Sequence, residues 1–398
     1  MPATARLLTP DPTDPRTPVV VAARRTPVGT AGRSLAAVDV VGLTAPVLRA
    51  LAGDLGDLAG HPDVVDEVVL GNCMGPGGDP ARVAALAAGL GLAVPGLTVD
   101  RQCGSGLEAI SLAALHVAAG DRLVLAGGVE SASTAPTRLA LQPDGSRVPY
   151  DRARFSPDDI GDPGMGEAAD ALALARGVSR ERQDAYAVRS HRRALGASAA
   201  GWFDAELVPI GAVERDERPR AGLDPTRLAR FRPAFGPDGT ATAGNSCGIS
   251  DGAAAVAVVD ESTRRALDLP GLAIRATAST GVHPALPGLG PVPAVEAVLK
   301  ATGLDWDDIG ALEVTEAFAA QLLACTDEWG LDPLGADAER VCPEGGAIAL
   351  GHPWGASGAL LVVRLFSQLV RRGGPRFGLA ACAVGGGQGV AMLVERVG

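Results

Sequence analysis

The chain has 398 residues, of which 47% are hydrophobic and 20% charged, and its formal net charge is −11 at pH 7. This composition is typical of a globular protein and not of a disordered one, and the length suits two packed domains or one duplicated unit. The acidic balance argues against nucleic acid as the main partner, although a local basic patch could still bind an acidic cofactor.

Six cysteines are scattered along the chain without a CxxC motif or a Cys/His pairing. That pattern suits free thiols in a reducing compartment better than a disulfide framework or a zinc site, so we expect a cytoplasmic protein with no metal. The longest uncharged runs, 83–99 and 345–363, are interrupted by Gly, Pro or His, and the first 18 residues lack a continuous apolar run. The sequence therefore predicts neither a membrane span nor a signal peptide.

Short apolar strands alternate with amphipathic helices along most of the chain. The N-terminal third predicts strands at 19–23, 66–70, 97–100 and 122–126 and helices at about 41–53 and 80–90. Residues from about 132 to 240 are charged and rich in proline, with predicted helices at 166–176 and 180–199. We interpret this segment as an insertion that covers another part of the fold. The remainder predicts strands at 252–259 and 272–278, helices at 292–302 and 316–329, and a hairpin at 377–396. This alternation indicates βαβ units on a parallel or mixed sheet.

Two segments carry residues suited to nucleophilic chemistry. Residues 97–112, LTVDRQCGSGLEAISL, place Cys103 between a strand and a helix, and residues 345–358, GGAIALGHPWGASG, place His352 in a glycine-rich loop before another helix. The positive end of a helix dipole favours a thiolate, and a neighbouring histidine could take the thiol proton. The segments lie about 250 residues apart, so only the fold can join them.

A weak internal repeat suggests how the fold joins them. CGSGLEAISLAALHVAAGDRLVLAGGVES has the plan small-residue turn, helix, strand and glycine turn, and GHPWGASGALLVVRLFSQLVRRGGPRFGLAACAVGGGQG repeats it. Two halves built alike would put Cys103 and His352 at the starts of related helices. A pseudo-twofold axis would then bring the two side chains together.

The chain resembles the thiolase family from about residue 18 to 398. The resemblance rests on motifs in the family's order: RTPVGTAGRSLA (25–36), DRQCGSGLEAI (100–110), AGGVES (126–131), MGEAAD (165–170), RPAFGPDGTATAGN (232–245), GISDGAAA (248–255), GPVPA (290–294), EAFA (316–319), GGAIALGHPWGASGA (345–359) and GGGQG (385–389). It implies an α/β fold of two duplicated βαβαβαββ halves in a five-layered α-β-α-β-α core. The expected halves are 18–263, including a loop domain at about 132–240, and 270–398.

The resemblance also implies roles for individual residues. Cys103 would attack a thioester or 3-ketoacyl-CoA and carry the acyl group, while His352 would take its proton and help hold the oxyanion. The glycine loop at Gly385 would offer backbone N–H groups to that oxyanion. No cofactor beyond coenzyme A thioesters is implied, and we expect a homodimer or a dimer of dimers. Contacts with the CoA substrate are expected from Arg220, Phe235, Cys247 and Phe318.

The sequence departs from the family where a second cysteine normally moves the α-carbon proton. The glycine loop of GLAACAVGGGQG puts Ala383 at that position, and Cys382 lies one residue earlier. On a strand, a shift of one residue points a side chain to the opposite face. Two interpretations stay open: Cys382 is a small buried residue, or it acts as the acid/base through a local β-bulge.

Three further departures lie near the predicted chemistry. Thr315 stands where the family has Asn or His, a residue that orients a water in the oxyanion hole, and its hydroxyl could do part of that work. Cys342 replaces an asparagine, and Cys247 replaces a serine near the pantetheine arm. We expect both of these cysteines to be packing residues, with Cys342 a less favoured stand-in acid/base.

Three functions follow from these observations. The first is a CoA-dependent C-acyltransferase, either an acetyl-CoA acetyltransferase or a 3-ketoacyl-CoA thiolase, with an acyl-Cys103 intermediate. The second is a related enzyme that transfers or condenses acyl groups without the usual acid/base cysteine. The third is a weakly catalytic subunit that binds acyl-CoA.

Overall fold

The computed structural model describes residues 5–8, 11, 13–56 and 64–398. Its strands are β1 (Ala5–Leu7), β2 (Pro18–Arg25), β3 (Gly29–Thr30), β4 (Glu67–Gly71), β5 (Gly96–Val99), β6 (Leu123–Ser131), β7 (Arg138–Leu141), β8 (Arg147–Tyr150), β9 (Ser250–Asp260), β10 (Gly271–Gly281), β11 (Ile309–Val314), β12 (Phe377–Val384) and β13 (Gln388–Val397). Its α-helices are α1 (Val40–Asp54), α2 (Pro80–Ala88), α3 (Ser105–Ala119), α4 (Met165–Arg176), α5 (Arg180–Ala199), α6 (Pro225–Leu228), α7 (Glu261–Ala266), α8 (Pro291–Thr302), α9 (Ala319–Glu328), α10 (Ala347–Leu350) and α11 (Trp354–Leu365).

Most of the strands and helices lie within a few residues of their predicted bounds, and the differences have local causes. The helix predicted at 316–329 begins at Ala319, because Phe318 is extended and pairs with Ser246. Strand β11 was not predicted, since IGALEV is buried almost throughout and shows no alternation of polar and apolar residues. The exposed hairpin of β7 and β8 inside the insertion was missed as well.

The strand order shows the duplication. In the first half the order is β5-β4-β6-β9-β2, and in the second half it is β11-β12-β13-β10. The strand equivalent to β5 is reduced in the second half to a single bridge between Leu312 and Val341. The two sheets meet edge to edge where Leu272 and Ala273 of β10 pair with Val20 and Val19 of β2. We propose 18–263 and 270–398 as the two halves, with the insertion at about 132–240.

Three apolar clusters separate the layers of the molecule. Helices α1 and α2 cover the outer face of the first sheet, and α8 and α9 cover the outer face of the second. Helices α3 and α11 lie between the sheets, where Val20 of β2 and Ala380 of β12 face the same cluster. The layers therefore run α-β-α-β-α, as the resemblance implies. Among the described residues no helix is both long and apolar enough to cross a membrane.

The two central helices touch through glycine. A Cβ placed on Gly106 of α3 would lie 2.8 Å from both the Ala359 nitrogen and the Gly355 oxygen of α11. A Cβ on Gly358 would lie 2.5 Å from the Leu107 nitrogen. Backbones this close leave no room for a side chain. The contact fixes the separation of the two sheets.

A buried ionic network joins the three parts of the chain. Arg25 of the first half pairs with Glu206 of the insertion at 2.6 Å and with Asp216 at 2.7 Å. Arg364 of α11 pairs with the same Glu206 and with Glu344. Arg25 and Glu206 are fully buried. Charges at this depth are tolerated only when they are paired, so the network depends on all of its members.

We predict that Gly358→Ala lowers the free energy of unfolding by about 1–3 kcal/mol, because the added methyl group overpacks the contact between α3 and α11. Gly196→Ala on α5 is the matched control, since a Cβ at Gly196 meets nothing within 4 Å. This control should be neutral or should stabilise the protein by up to about 1 kcal/mol, through helix propensity. Denaturant unfolding measures both changes. Equal stabilities of the two variants would contradict the glycine contact.

Candidate active site

The main cavity of the molecule has a volume of about 740 Å³ and is lined by residues of both halves and of the insertion. The structure brings together in its wall the following predicted site residues: Cys103, Phe235, Cys247, Phe318, His352 and Gly385. The predicted site residues outside its wall are Arg220, Thr315 and Cys382. The helix starts of α3 and α11 both face this cavity, as the internal repeat predicts.

A tight turn carries Cys103 into the cavity. Gln102 has a left-handed backbone with φ of 46°, which is unusual for a residue other than glycine. The Ser105 hydroxyl accepts a hydrogen bond from the Arg101 N–H at 2.8 Å and donates one to the Gln102 carbonyl at 2.6 Å. The Asp100 carboxylate accepts from the Gln102 N–H at 2.7 Å. These bonds hold the turn in its strained form.

The electrostatics at Cys103 differ from the sequence-based expectation. Burial raises the pKa of the Cys103 thiol well above its usual range, and the neighbouring Cys382 and Cys247 thiols raise it further. The helix dipole of α3 was expected to favour the thiolate, but desolvation of the charged form is the larger effect. The resting residue is therefore a thiol, and its proton has to leave as the sulfur reacts.

His352 is arranged to receive a proton. Its Nδ1 lies 2.6 Å from the Ser357 hydroxyl, which donates to the Pro353 carbonyl at 3.0 Å. Because the Ser357 hydroxyl already donates its proton to the Pro353 carbonyl, it can only accept from His352. We therefore assign the imidazole proton to Nδ1 and the lone pair to Nε2. Nε2 has no hydrogen-bond partner in the described part of the chain. Burial lowers the pKa of His352 to about 4, so the ring is neutral at pH 7.

Strand β12 places Ala383 and Cys382 on opposite faces. Its pairing with β13 runs in unbroken register from Phe377 to Val384, without the bulge that an acid/base role for Cys382 was expected to need. Ala383 lines the cavity. The fully buried Cys382 thiol lies 3.2 Å from both the Cys103 and the Ala383 carbonyl oxygens. This placement fits a small buried residue, and a catalytic role for Cys382 stays a prediction.

Thr315 and Gly385 differ in how they meet the cavity. The Thr315 hydroxyl lines a separate small cavity of about 30 Å³, together with Glu313 and Ser357, because it continues β11 and shares a face with Glu313. Burial raises the pKa of the Cys382 thiol to about 12, and a hydrogen bond with the Thr315 side chain lowers it. Gly385 lines the main cavity, and a Cβ there would lie 2.7 Å from the Phe155 ring. Thr315 therefore does not line the main cavity, and its water-orienting role stays a prediction.

Residues expected to contact CoA lie at different depths. Phe235 and Phe318 meet edge to face, with ring centroids 5.8 Å apart, and form one wall. The backbone N–H of Cys247 donates to the Ala317 carbonyl at 2.9 Å, which fixes Cys247 beside that wall. Arg220 is exposed outside the cavity, and its backbone N–H donates to His191 Nδ1 at 3.2 Å.

Two important residues were missed by sequence reasoning. Glu130 accepts backbone N–H groups from Cys73, Met74 and Gly355, at 3.1 to 3.2 Å, and so ties the start of α11 to the first half. The only feature of the sequence that could have pointed to Glu130 is its position as a carboxylate within the glycine turn GGVES. Arg218 packs against Gly248, and nothing in the sequence distinguishes it from the other arginines.

One group of side chains among the described residues could hold a metal ion: Glu67, His116 and Asp121. His116 Nδ1 lies 2.7 Å from a Glu67 oxygen, and these residues are partly exposed. They lie at the end of α3 away from Cys103. This group is therefore separate from the cavity.

We predict that burial of His352 makes the protein less stable in acid. The folded pKa of about 4 lies below the ordinary 6.5, so between these values the unfolded chain binds a proton that the folded chain does not. The stability contribution is present above pH 6.5 and is lost as the pH falls towards 4. In His352→Gln, the drop in unfolding free energy from pH 7 to pH 5 should shrink by about 2 kcal/mol.

Denaturant unfolding at both pH values measures that drop. His283→Gln is the control, because its histidine is exposed in a loop. An unchanged pH dependence in His352→Gln would contradict the burial argument.

Comparison with known proteins agrees with this arrangement. Residues 18–262 match the thiolase N-terminal domain and residues 270–396 match the thiolase C-terminal domain. The chain is 43% identical over 385 residues to a putative acetyl-CoA C-acetyltransferase of Bacillus subtilis, covering 95% of this chain and 98% of that protein. It is 42% identical over 398 residues to an acetyl-CoA acetyltransferase of Escherichia coli, covering 95% and 99%.

Among solved structures, the crystal structure of the Bacillus anthracis acetyl-CoA acetyltransferase superposes with a TM-score of 0.87 at 37% sequence identity, covering 96% of this chain and 99% of that one. The duplicated α/β fold is therefore the thiolase fold, as predicted. The predicted CoA-dependent acyltransferase activity is confirmed by the same matches. The chain belongs to the thiolase family and is an acyltransferase.

Proposed function

We propose that the enzyme transfers acyl groups between 3-ketoacyl-CoA and CoA through a thioester on Cys103. The observation that carries the proposal is the pair of neutral groups in one cavity: the Cys103 thiol and the His352 imidazole with a free Nε2. As the sulfur attacks the acyl carbonyl, its proton moves to Nε2. When the acyl donor is acyl-CoA, the departing CoA thiolate takes that proton from Nε2, so the imidazole is neutral again at the end of the step.

The oxyanion of this step needs hydrogen-bond donors in the cavity wall. We assign that role to the backbone at Gly385, where the glycine loop meets the cavity. His352 would help once it carries the proton.

CoA would enter with its phosphates on the basic edge formed by Arg218 and Arg220, and with its pantetheine arm along Cys247 and Phe235. Burial is the main cause of the lowered pKa of His191, and Arg218 and Arg220 both lower it further, which supports a local positive field. The acyl end would lie against Leu172 and Gly288 at the apolar end of the cavity. No prosthetic group is needed for this chemistry.

A second candidate is acyl transfer without making or breaking a carbon–carbon bond. The observation that favours it is the methyl group of Ala383, which faces the cavity where thiolases carry an acid/base cysteine. Acyl transfer to a thiol needs no α-proton removal, so Cys103 and His352 suffice for it. Both candidates pass through acylation of Cys103, and they differ in whether a carbon–carbon bond is made or broken.

We predict that acetyl-CoA acetylates Cys103, because the raised pKa of its thiol and the free Nε2 of His352 make attack and proton transfer one event. Mass spectrometry of the intact and digested protein should show one acetyl group on Cys103, and Cys103→Ala should show none. Cys325→Ala is the matched control, since Cys325 is buried outside the cavity wall.

Acetoacetyl-CoA formed in the same reaction supports the first candidate, and acetylation without it supports the second. No acetylation of the natural protein would contradict both and would leave a weakly catalytic acyl-CoA-binding protein.

We also propose a cytoplasmic homodimer or dimer of dimers, built on the free edge of the first sheet. Strand β5 ends that sheet, and Leu97 on it is 37% exposed, beside Val83 and Leu86 of α2 at 48% and 41%. An uncovered strand edge with apolar neighbours favours pairing with a second copy.

We predict that Leu97→Arg weakens that dimer by at least tenfold, because a charge is then buried at the edge. Leu174→Arg is the control, since Leu174 is 87% exposed on α4. Light scattering measures the mass of each variant. A monomeric natural protein would contradict the proposal.

A further inference from the structure

Breaking a 3-ketoacyl-CoA requires a proton donor besides His352. When the bond between the α-carbon and the keto carbon breaks, the electron pair stays on the α-carbon of the departing acyl-CoA, which must gain a proton. In the reverse direction the same carbon must lose one. Ala383 has no proton to give, and the Cys382 thiol faces the Cys103 and Ala383 carbonyl oxygens in the core.

The cavity wall offers few alternatives to these two residues. The side chains in it that ionise are Cys103, Arg152, Glu167, Cys247 and His352; the Ser246 hydroxyl also lines it but is too weak an acid for this role. Cys103 is acylated at this stage, and His352 has the proton that Cys103 released.

Arg152 and Glu167 are held elsewhere. The Arg152 guanidinium forms a forked ion pair with Asp162 at 2.8 and 2.9 Å. The Glu167 carboxylate accepts the Gly164 N–H at 3.2 Å and caps the start of α4. Cys247 is the remaining group, and it lines the same cavity as Cys103 and His352.

Arg218 supplies a cation behind the Cys247 thiol. Its guanidinium packs so closely on the next residue that a Cβ at Gly248 would lie 2.0 Å from Nη1. Its Nε has no hydrogen-bond partner among the described residues. Burial raises the pKa of Cys247 to about 12, Arg218 opposes that rise, and Glu316 adds slightly to it. The resting group is thus a thiol whose thiolate has a cation beside it.

We propose that Cys247 is the second catalytic acid and base of this enzyme and that Arg218 positions its charge. The inference rests on the proposed acyl-Cys103 chemistry. In thiolysis, the Cys103 sulfur bonds to the keto carbon, the carbon–carbon bond breaks, and the α-carbon takes the Cys247 proton. The thiolate left on Cys247 is stabilised by Arg218. The Cys247 thiolate then takes the proton of the CoA thiol, the CoA sulfur displaces the acyl group from Cys103, and His352 returns its proton to the Cys103 sulfur.

The test separates the two half-reactions in Cys247→Ser, Cys247→Ala and the matched control Cys382→Ala. At saturating acetyl-CoA, which offsets a weakened contact between Cys247 and the pantetheine arm, Cys103 should still become acetylated in all three variants, which also shows that each is folded. Thiolysis of acetoacetyl-CoA and deuterium exchange into the methyl group of acetyl-CoA should fall about 10²–10⁴-fold in both Cys247 variants. Both should be unchanged in Cys382→Ala.

Arg218→Met tests the positioning role through the pH profile of thiolysis, which a purely structural role of Arg218 would leave unchanged. Without its cation, Cys247 becomes a weaker acid, so the alkaline limb of the thiolysis pH profile should move to higher pH in Arg218→Met. Acetylation of Cys103 should keep its natural profile. The charged and titratable groups that act on Cys247 are Arg218, Glu316 and Cys103.

A chemical experiment on the natural protein does not depend on the folding of any variant. With Cys103 held as its acetyl thioester, iodoacetamide should label Cys247 and not Cys382, and the labelled enzyme should lose thiolysis after deacetylation. Normal thiolysis in Cys247→Ser, or its loss in Cys382→Ala alone, would overturn the proposal. So would a natural enzyme that acetylates Cys103 but neither cleaves acetoacetyl-CoA nor exchanges deuterium. Failure of acetylation itself would instead overturn the proposed function.

Discussion

The close approach of the two central helices is the constraint on which the rest of this structure depends. Helices α3 and α11 touch at Gly106 and Gly358, where backbone atoms leave no room for a side chain. Both sheets pack on this pair, and both helices begin at the same end of the central layer. Cys103 precedes one helix and His352 precedes the other, so the glycine contact also brings these two residues to one cavity. The same helix contact therefore determines both the packing of the core and the geometry of the cavity.

Burial has opposite effects on these two groups, and the combination suits proton transfer. It raises the pKa of Cys103 and lowers that of His352, so both are uncharged at neutral pH. Separated charge exists only while sulfur attacks carbon. A cavity with little water strengthens the hydrogen bonds that the oxyanion then receives. The helix dipole expected to hold a thiolate is the weaker influence, because a charge in so buried a place is costly.

Periodicity and motif order predicted most of the fold. Alternation of apolar residues gave the bounds of most strands and helices to within a few residues, and the repeat around Cys103 and His352 indicated their juxtaposition. Strand β11 escaped notice because a strand buried on both faces has no alternation to detect. The placement of Thr315 could not be predicted, since it depends on which face of β11 points to the small cavity. Anchoring on the glycine loop did put Ala383 at the usual cysteine position, and Ala383, not Cys382, lines the main cavity.

The buried ionic network has a consequence for how the chain can be divided. Glu206 belongs to the insertion, yet it neutralises one arginine from each half, Arg25 and Arg364. The second half expressed alone would lose Glu206 from beside Arg364, and the first half expressed alone would lose Arg364 from beside Glu206. Removing one partner of a buried pair typically costs about 3–5 kcal/mol, a large share of a domain's total stability. The duplicated halves are thus no longer independent folding units, and two separately expressed fragments should gain fixed structure only when they are mixed.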